Sequence, residues 1–181
     1  MASIINVDQI KNAAGTSGLT LDSSTGKASF PNGATLPAGS VVQVVNTSSD
    51  TRTNTTSTSY VVATDIAATI TPTSSSSKIY VQYDLSYRVY NNSGNDSIMF
   101  VGISKDGGTT ILAPNRLRTY DYGGSGSLTE SAVSASFLDS PATTSALTYQ
   151  VYLKNQNATN ATINNDTPDA NSSVTLMEIA Q

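Results

Sequence analysis

The residues that could do chemistry in this chain are carboxylates and aromatics, because histidine and cysteine are absent altogether. Without them the familiar nucleophile–base arrangements and soft-metal sites cannot be built. One catalytic route remains, a pair of acids held a few ångströms apart across a glycosidic bond. Asp84, Asp121, Glu130 and Glu178 lie on expected strands and could meet in space, but solvated strand faces account for them equally well. Residues 164–171, NNDTPDAN, echo a calcium loop faintly yet lack its turn glycine and closing glutamate. The pairs Gly107-Gly108 and Gly123-Gly124 are followed by neither a helical pattern nor Lys-Ser/Thr, so no phosphate cradle is expected. The expectation is a protein with no enzymatic activity, no metal and no cofactor.

Binding is the better-supported chemistry. Tyr90, Asn91 and Asn92 gather at one strand end, and Arg116, Arg118, Tyr120, Asp121 and Tyr122 at another. Tyrosine planes stack on sugar rings while Asn, Asp and Arg satisfy hydroxyls, which is how a lectin-like surface works. A neighbouring subunit packed on the same tyrosines explains them about as well.

Strands must position these groups. Residues 78–90, KIYVQYDLSYRVY, place Ile79, Val81, Tyr83, Leu85, Tyr87 and Val89 on one face and Tyr80, Gln82, Asp84, Ser86, Arg88 and Tyr90 on the other. Such period-2 alternation, rich in β-branched and aromatic types, suits a half-buried strand, whereas a 3.6-residue stripe would leave half of them facing the wrong way. Residues 96–104, DSIMFVGIS, follow across NNSGN, and the two runs are expected to pair as a hairpin at the centre of a β-sandwich.

Other segments extend the pattern. Residues 40–45 read as a first strand, 46–59 as a long Ser/Thr/Asn loop carrying Arg52, and 60–71 as one or two strands. Lys105-Asp106-Gly107-Gly108 is a tight-turn signal, and the short strand begun by Ile111-Leu112 is expected to stop at Pro114. Residues 116–122, 127–138, 146–154 and 174–180 follow as strands, with Ala161-Thr162-Ile163 as a short one inside the polar stretch 155–173. Eight to ten strands and no helix point to an all-β fold, a jelly-roll-like antiparallel β-sandwich. The small residues of 131–136 would let backbones approach closely, as at a subunit interface.

Residues 1–36 read differently. GTSGLTLDSSTGKASFPNG holds strand-like pieces too short to stand alone, so they must pair with another copy or dock on a partner. Two regions are therefore expected, a β-rich arm over 1–36 and a sandwich over 37–181.

Charged residues make up 12% of the chain, about half the usual share, and Ser, Thr and Asn carry the polarity. The net charge of −4 and scattered basic residues argue against a nucleic-acid partner. No apolar run approaches a membrane span, and MASIINVDQIK lacks the apolar core of a signal peptide. The expectation is a protein made in a reducing cytoplasm, whose Asn-X-Ser/Thr triplets reflect loop composition.

The opening SIINVDQIKNAAGTSGLTLDSSTGKASFPNG resembles the N-terminal segment of small fibre-like virion proteins of tailed bacteriophages, especially those of marine bacteria. ITPTSSSSKIYVQYDLSY, FLDSPATTSALTYQVYL and SSVTLMEIAQ resemble the later strands of the same group, so the likeness spans nearly the whole chain. It implies a homotrimeric fibre made in the bacterial host's cytoplasm and carried as a virion surface appendage, on the tail rather than the head. The arm would attach to a tail, adaptor or capsid protein through Ile4, Ile5, Val7, Ile10, Leu19, Leu21 and Phe30. The sandwich would bind host-surface glycan through Tyr90, Asn91, Asn92, Arg116, Arg118, Tyr120, Asp121 and Tyr122, with no membrane insertion. Trimerisation would also cover Met99, Val101 and Ile103, which a hairpin would leave exposed. The alternative is a decoration or head-fibre protein with a structural role, since 181 residues leave almost no shaft.

Overall fold

The computed structural model describes residues 9–11, 13–29, 36–92, 96–120, 126–164 and 170–181. They form thirteen β-strands, all paired antiparallel, and no helix among the described residues. The chain divides into two compact units, Met1–Pro37 and Ala38–Gln181.

The first unit is a three-stranded meander of β1 (Gln9–Lys11), β2 (Ser17–Leu21) and β3 (Ala28–Ser29). Its one long turn is organised by Asp22, whose Oδ1 accepts hydrogen bonds from the backbone N–H and hydroxyl of both Ser24 and Thr25. Those bonds hold its carboxyl well below the usual range, and Gly26, at φ +67°, supplies the left-handed step that closes the turn. None of the described side chains here is buried, and Ile10 is 55% exposed. Local turn chemistry shapes the described part of this unit, which holds no buried core.

The second unit is built the other way, around a core. A six-stranded sheet runs β4 (Val41–Ser49), β13 (Ser172–Ile179), β7 (Lys78–Asn91), β12 (Asn160–Ile163) and β5 (Thr53–Thr55), with β10 (Ser127–Asp139) paired along the other edge of β7. A four-stranded sheet runs β6 (Val61–Ile70), β11 (Leu147–Asn155), β8 (Ser97–Ser104) and β9 (Leu112–Thr119). The inward residues of both sheets share one cluster, with Val81, Tyr83, Leu85 and Leu176 from the first and Met99, Val101, Val151 and Leu153 from the second, all at most 1% exposed. The Tyr83 hydroxyl crosses that core to donate to the Ala113 carbonyl at 2.6 Å and accepts from Asn115 Nδ2 at 2.6 Å, so its polar end is satisfied. Asp139 ties the far end of β10 to Lys105 and to the Tyr149 hydroxyl. Burial works against its charge, but those hydrogen bonds win and lower its pKa.

Alternation in β7 matches the structure: Ile79, Val81, Tyr83, Leu85 and Val89 are buried, Tyr87 is half-buried against the same core, and the even-numbered residues face out. The expected hairpin between β7 and β8 does not form. β10 takes one edge of β7 along its length, β13 and β12 share the other, and β8 pairs with β11 and β9 in the opposite sheet. The physical reason is that both strands carry an apolar face. A hairpin would set the faces side by side in one layer, whereas crossing between sheets sets them opposite each other and removes both from water. Met99, Val101 and Ile103 are thus fully buried within a single chain, so their burial needs no trimer.

Two boundaries also differ. β4 runs on to Ser49 and β5 occupies 53–55, inside the expected 46–59 loop. β9 passes through Pro114, which an edge strand tolerates next to the register shift between Val101 and Ile103. Gly102 sits at that shift, where a Cβ would come within 2.4 Å of the Ile111 side chain and 3.0 Å of the Leu112 carbonyl.

Candidate functional site: a cation–aromatic row on the four-stranded sheet

The residues singled out for binding are divided between the two sheets. Tyr90 lies on the outer face of β7, opposite Leu128 and Asn160, with the Arg88 guanidinium 5.8 Å from its ring. It lines a small cavity of about 150 Å³ with Arg52, Arg88, Asn160 and Thr162. Asn92 is tied down by Thr159, whose hydroxyl accepts from the Asn92 N–H at 3.2 Å and donates to Asn92 Oδ1 at 2.8 Å. Asn91 is 1% exposed and cannot touch a receptor from there; it ends β7 pointing inward with the odd-numbered residues. Asp121 and Tyr122 lie outside the described residues, as do Ile4, Ile5, Val7 and Phe30 of the arm. Ile10, Leu19 and Leu21 stand on β1 and β2, exposed or half-buried.

Arg116, Arg118 and Tyr120 are on the other sheet. Strand alternation buries Leu117 and Thr119 and turns these three outward. Arg118 lies flat over the Tyr120 ring, 4.1 Å from its centroid, and forms an ion pair with Asp96. Register then brings in residues that sequence reasoning passed over. Lys154 on β11 sits opposite Phe100 on β8, which sits opposite Arg116 on β9. Tyr60, one residue ahead of β6, completes the row, with Lys154 Nζ 4.7 Å from its ring and 5.0 Å from that of Phe100. The order across the sheet is ring, cation, ring, cation. Burial pushes the Tyr60 phenol up, which keeps it neutral beside the lysine. Among the described residues neither Lys154 nor Arg116 has a carboxylate partner. A row of this kind can stack a planar or ring-shaped group on Phe100 and meet negative charge on either side of it.

Lys154 and Phe100 could have been found from sequence only by knowing the partner strands. Each lies at an outward position of a strand whose apolar inward residues drew the attention, and β8 is so apolar on both faces that Phe100 passes for core.

The outer face of the six-stranded sheet has another composition. Val44, Met177, Tyr80 and Leu138 make one apolar row, with Val44 56% and Leu138 52% exposed. Next come Asn46, Thr175, Gln82 and Ser136, then Ser48, Ser173, Asp84 and Ser134. An open groove of about 580 Å³ runs past Asp84, Ser86, Glu130, Ala132 and Asn171.

The carboxylates do not converge as a glycosidase pair. Asp84 is opposite Ser134 while Glu130 is opposite Arg88, so the acids stand four residues apart, about 13 Å along the strands. Gln82 holds Asp84 at 2.9 Å on the side away from Glu130, and Arg88 Nε stands 3.6 Å from Glu130. Glu178 faces inward at the far end of the sheet, fully buried. Burial raises its pKa, but hydrogen bonds from Gln43 at 2.7 Å, from Thr73 N–H at 2.8 Å and Oγ1 at 2.7 Å, and from Ser77 override it and bring it to about 2. Asn164, at the start of the loop that echoes a calcium site, is buried and structural: it donates to the Ser49 and Thr51 carbonyls and accepts from Ser172. Residues 165–169 lie outside the described residues, among which no group of three or more acidic side chains could hold a metal.

Fold and surface together describe an all-β protein of several antiparallel sheets, with cation–ring contacts on both outer faces and the longer row of them on the four-stranded sheet. No protein-family model matches the chain, and no curated protein matches it.

Proposed function

We propose that this chain is a non-enzymatic bacteriophage fibre protein, displayed on the virion, that binds host-surface glycan. The observation that carries the binding half is the outward row Tyr60–Lys154–Phe100–Arg116 with the neighbouring Arg118–Tyr120 stack. Rings and cations held in register on a rigid sheet offer a sugar both a stacking plane and hydrogen-bond donors, with little ordering left to do on binding. Repetition over many copies on one virion turns weak single sites into firm attachment.

The displayed body is a jelly-roll-like sandwich on this reading. Support comes from the chain's repeated crossings between sheets and from the first and last strands of the body, β4 and β13, lying side by side. The meander of the first unit, with no buried side chain among its described residues, is the arm that a tail, adaptor or capsid protein would cover. Three copies assemble through the six-stranded side. There β10 pairs on one edge alone among the described residues, Val133, Ala135 and Phe137 are half-buried, and Leu138 and Val44 are exposed.

The test is adsorption. Phage lacking the protein should fail to bind host cells, and unchanged adsorption would overturn the reading. Immunogold against residues 38–181 should label tail appendages. Gold spread over the head would instead assign the protein to capsid decoration.

A further inference from the structure

The row restricts what kind of glycan would fit, an inference that rests on the glycan-binding reading. Lys154 and Arg116 are separated by one intervening strand, so two interstrand steps set their Cα atoms about 9.5 Å apart, within the reach from which both long side chains can meet one chain of sugars. That separation is close to the length of a disaccharide. Phe100 lies between them, and neither cation has a carboxylate partner among the described residues. Two uncompensated positive charges on a protein of net charge −4 are a local inversion of its field. We propose that this face recognises an acidic polysaccharide carrying about one carboxylate or sulfate per disaccharide, with a sugar ring stacked on Phe100 and successive acid groups meeting Lys154 and Arg116.

Charge spacing separates this ligand from the other common polyanion. Duplex nucleic acid presents a charge every ~1.7 Å of its axis, and its binders neutralise many phosphates at once. Two or three cations on an acidic protein cannot offset the repulsion such a ligand would feel, but they match a chain whose charges are about 10 Å apart. Neutral glycans would use the rings and the N–H donors but gain nothing from the two charges.

The experiment is calorimetric titration of the full chain at low and at physiological salt. The probes are a hyaluronan decasaccharide (one carboxylate per disaccharide), an uncharged chitin oligosaccharide and single-stranded oligothymidylate. Hyaluronan should bind about tenfold more tightly than the neutral oligosaccharide and weaken as salt rises. Lys154→Gln and Arg116→Gln should each cost about tenfold for hyaluronan and flatten its salt dependence, with a much smaller loss for the neutral oligosaccharide, since glutamine keeps an N–H donor but not the charge. Lys78→Gln, on the other sheet, serves as the charge control and should change nothing. Melting curves of each variant show whether the fold is intact, and the wild-type salt dependence stands without any variant. Equal binding of the charged and neutral sugars would overturn this inference and keep the glycan reading. Oligothymidylate binding as tightly as hyaluronan would also overturn it. Failure of both sugars to bind would overturn the inference and the reading beneath it.

Discussion

The two outer faces of the body share a core yet treat polarity in opposite ways. On the six-stranded sheet, short hydroxyl and amide side chains bond to one another along and across strands, as Asn46 does to Thr175 at 2.8 Å and Gln82 to Asp84 at 2.9 Å. On the four-stranded sheet, Lys154 and Arg118 lie over aromatic rings, and Lys154 and the neighbouring Arg116 have no carboxylate partner among the described residues. The first face is largely satisfied within itself, with an apolar row at one end. The second has donors and planes to spare. A surface that has already paired most of its polar groups gains little from a polar ligand, which is why the proposed recognition is assigned to the other side.

The largest effect that would break this comparison is acidification. The Glu178 pKa falls from 4.5 in the unfolded chain to about 2 in the fold, so its contribution is complete above about pH 4.5 and is lost as pH drops toward 2. That amounts to about 3 kcal/mol, and urea unfolding followed against pH should show it vanish in Glu178→Gln. The six-stranded side, which depends on this carboxylate, should be the acid-sensitive one.

Next in size is Gly102→Ala, which drives a methyl against Ile111 and the Leu112 carbonyl. A cost of about 2 kcal/mol, read as a melting temperature lower by about 4–8 °C, should accompany weakened glycan binding as β9 shifts and carries Arg116 out of the row. Leu138→Asp places a charge in the exposed apolar row and should shift light-scattering mass from trimer to monomer while sugar affinity per chain stays constant. The smallest effect belongs to Asp84→Asn and Glu130→Gln. Both should leave binding unchanged and stability within about 0.5 kcal/mol, because neither carboxylate serves the ligand face. A large loss of binding in either would reverse the roles of the two faces.

Much of the fold was legible because alternation is a local signal. Ile79 to Val89 and Tyr149 to Leu153 declare their inward faces through side-chain type alone, and both are buried as their pattern demands. Partnership is not local. Nothing in residues 96–104 says that they face β7 across the core instead of pairing with it, since a strand apolar on both faces fits either place. The candidate site was half legible for the same reason. Arg116 and Arg118 on β9 and Tyr120 just past its end are close in sequence and announce themselves, whereas Lys154, Phe100 and Tyr60 join them only through cross-strand register. Asn91 was misjudged because a polar type at a strand end resembles surface, and only its parity in β7 shows that it points inward.

The cation–aromatic row has one more consequence. β8 carries apolar residues on both faces, so binary pattern alone specifies its register against β11 only weakly. A slip of one residue would set Lys154 opposite Met99 or Val101 in place of Phe100 and would move Gly102 away from Ile111. The side chains of the proposed binding row, together with the crowded Gly102, therefore act as an alignment key between neighbouring strands. In the proposed glycan-binding role, a change of the ring or the lysine that altered ligand preference would therefore also loosen strand register, so selectivity and folding fidelity would share the same two side chains.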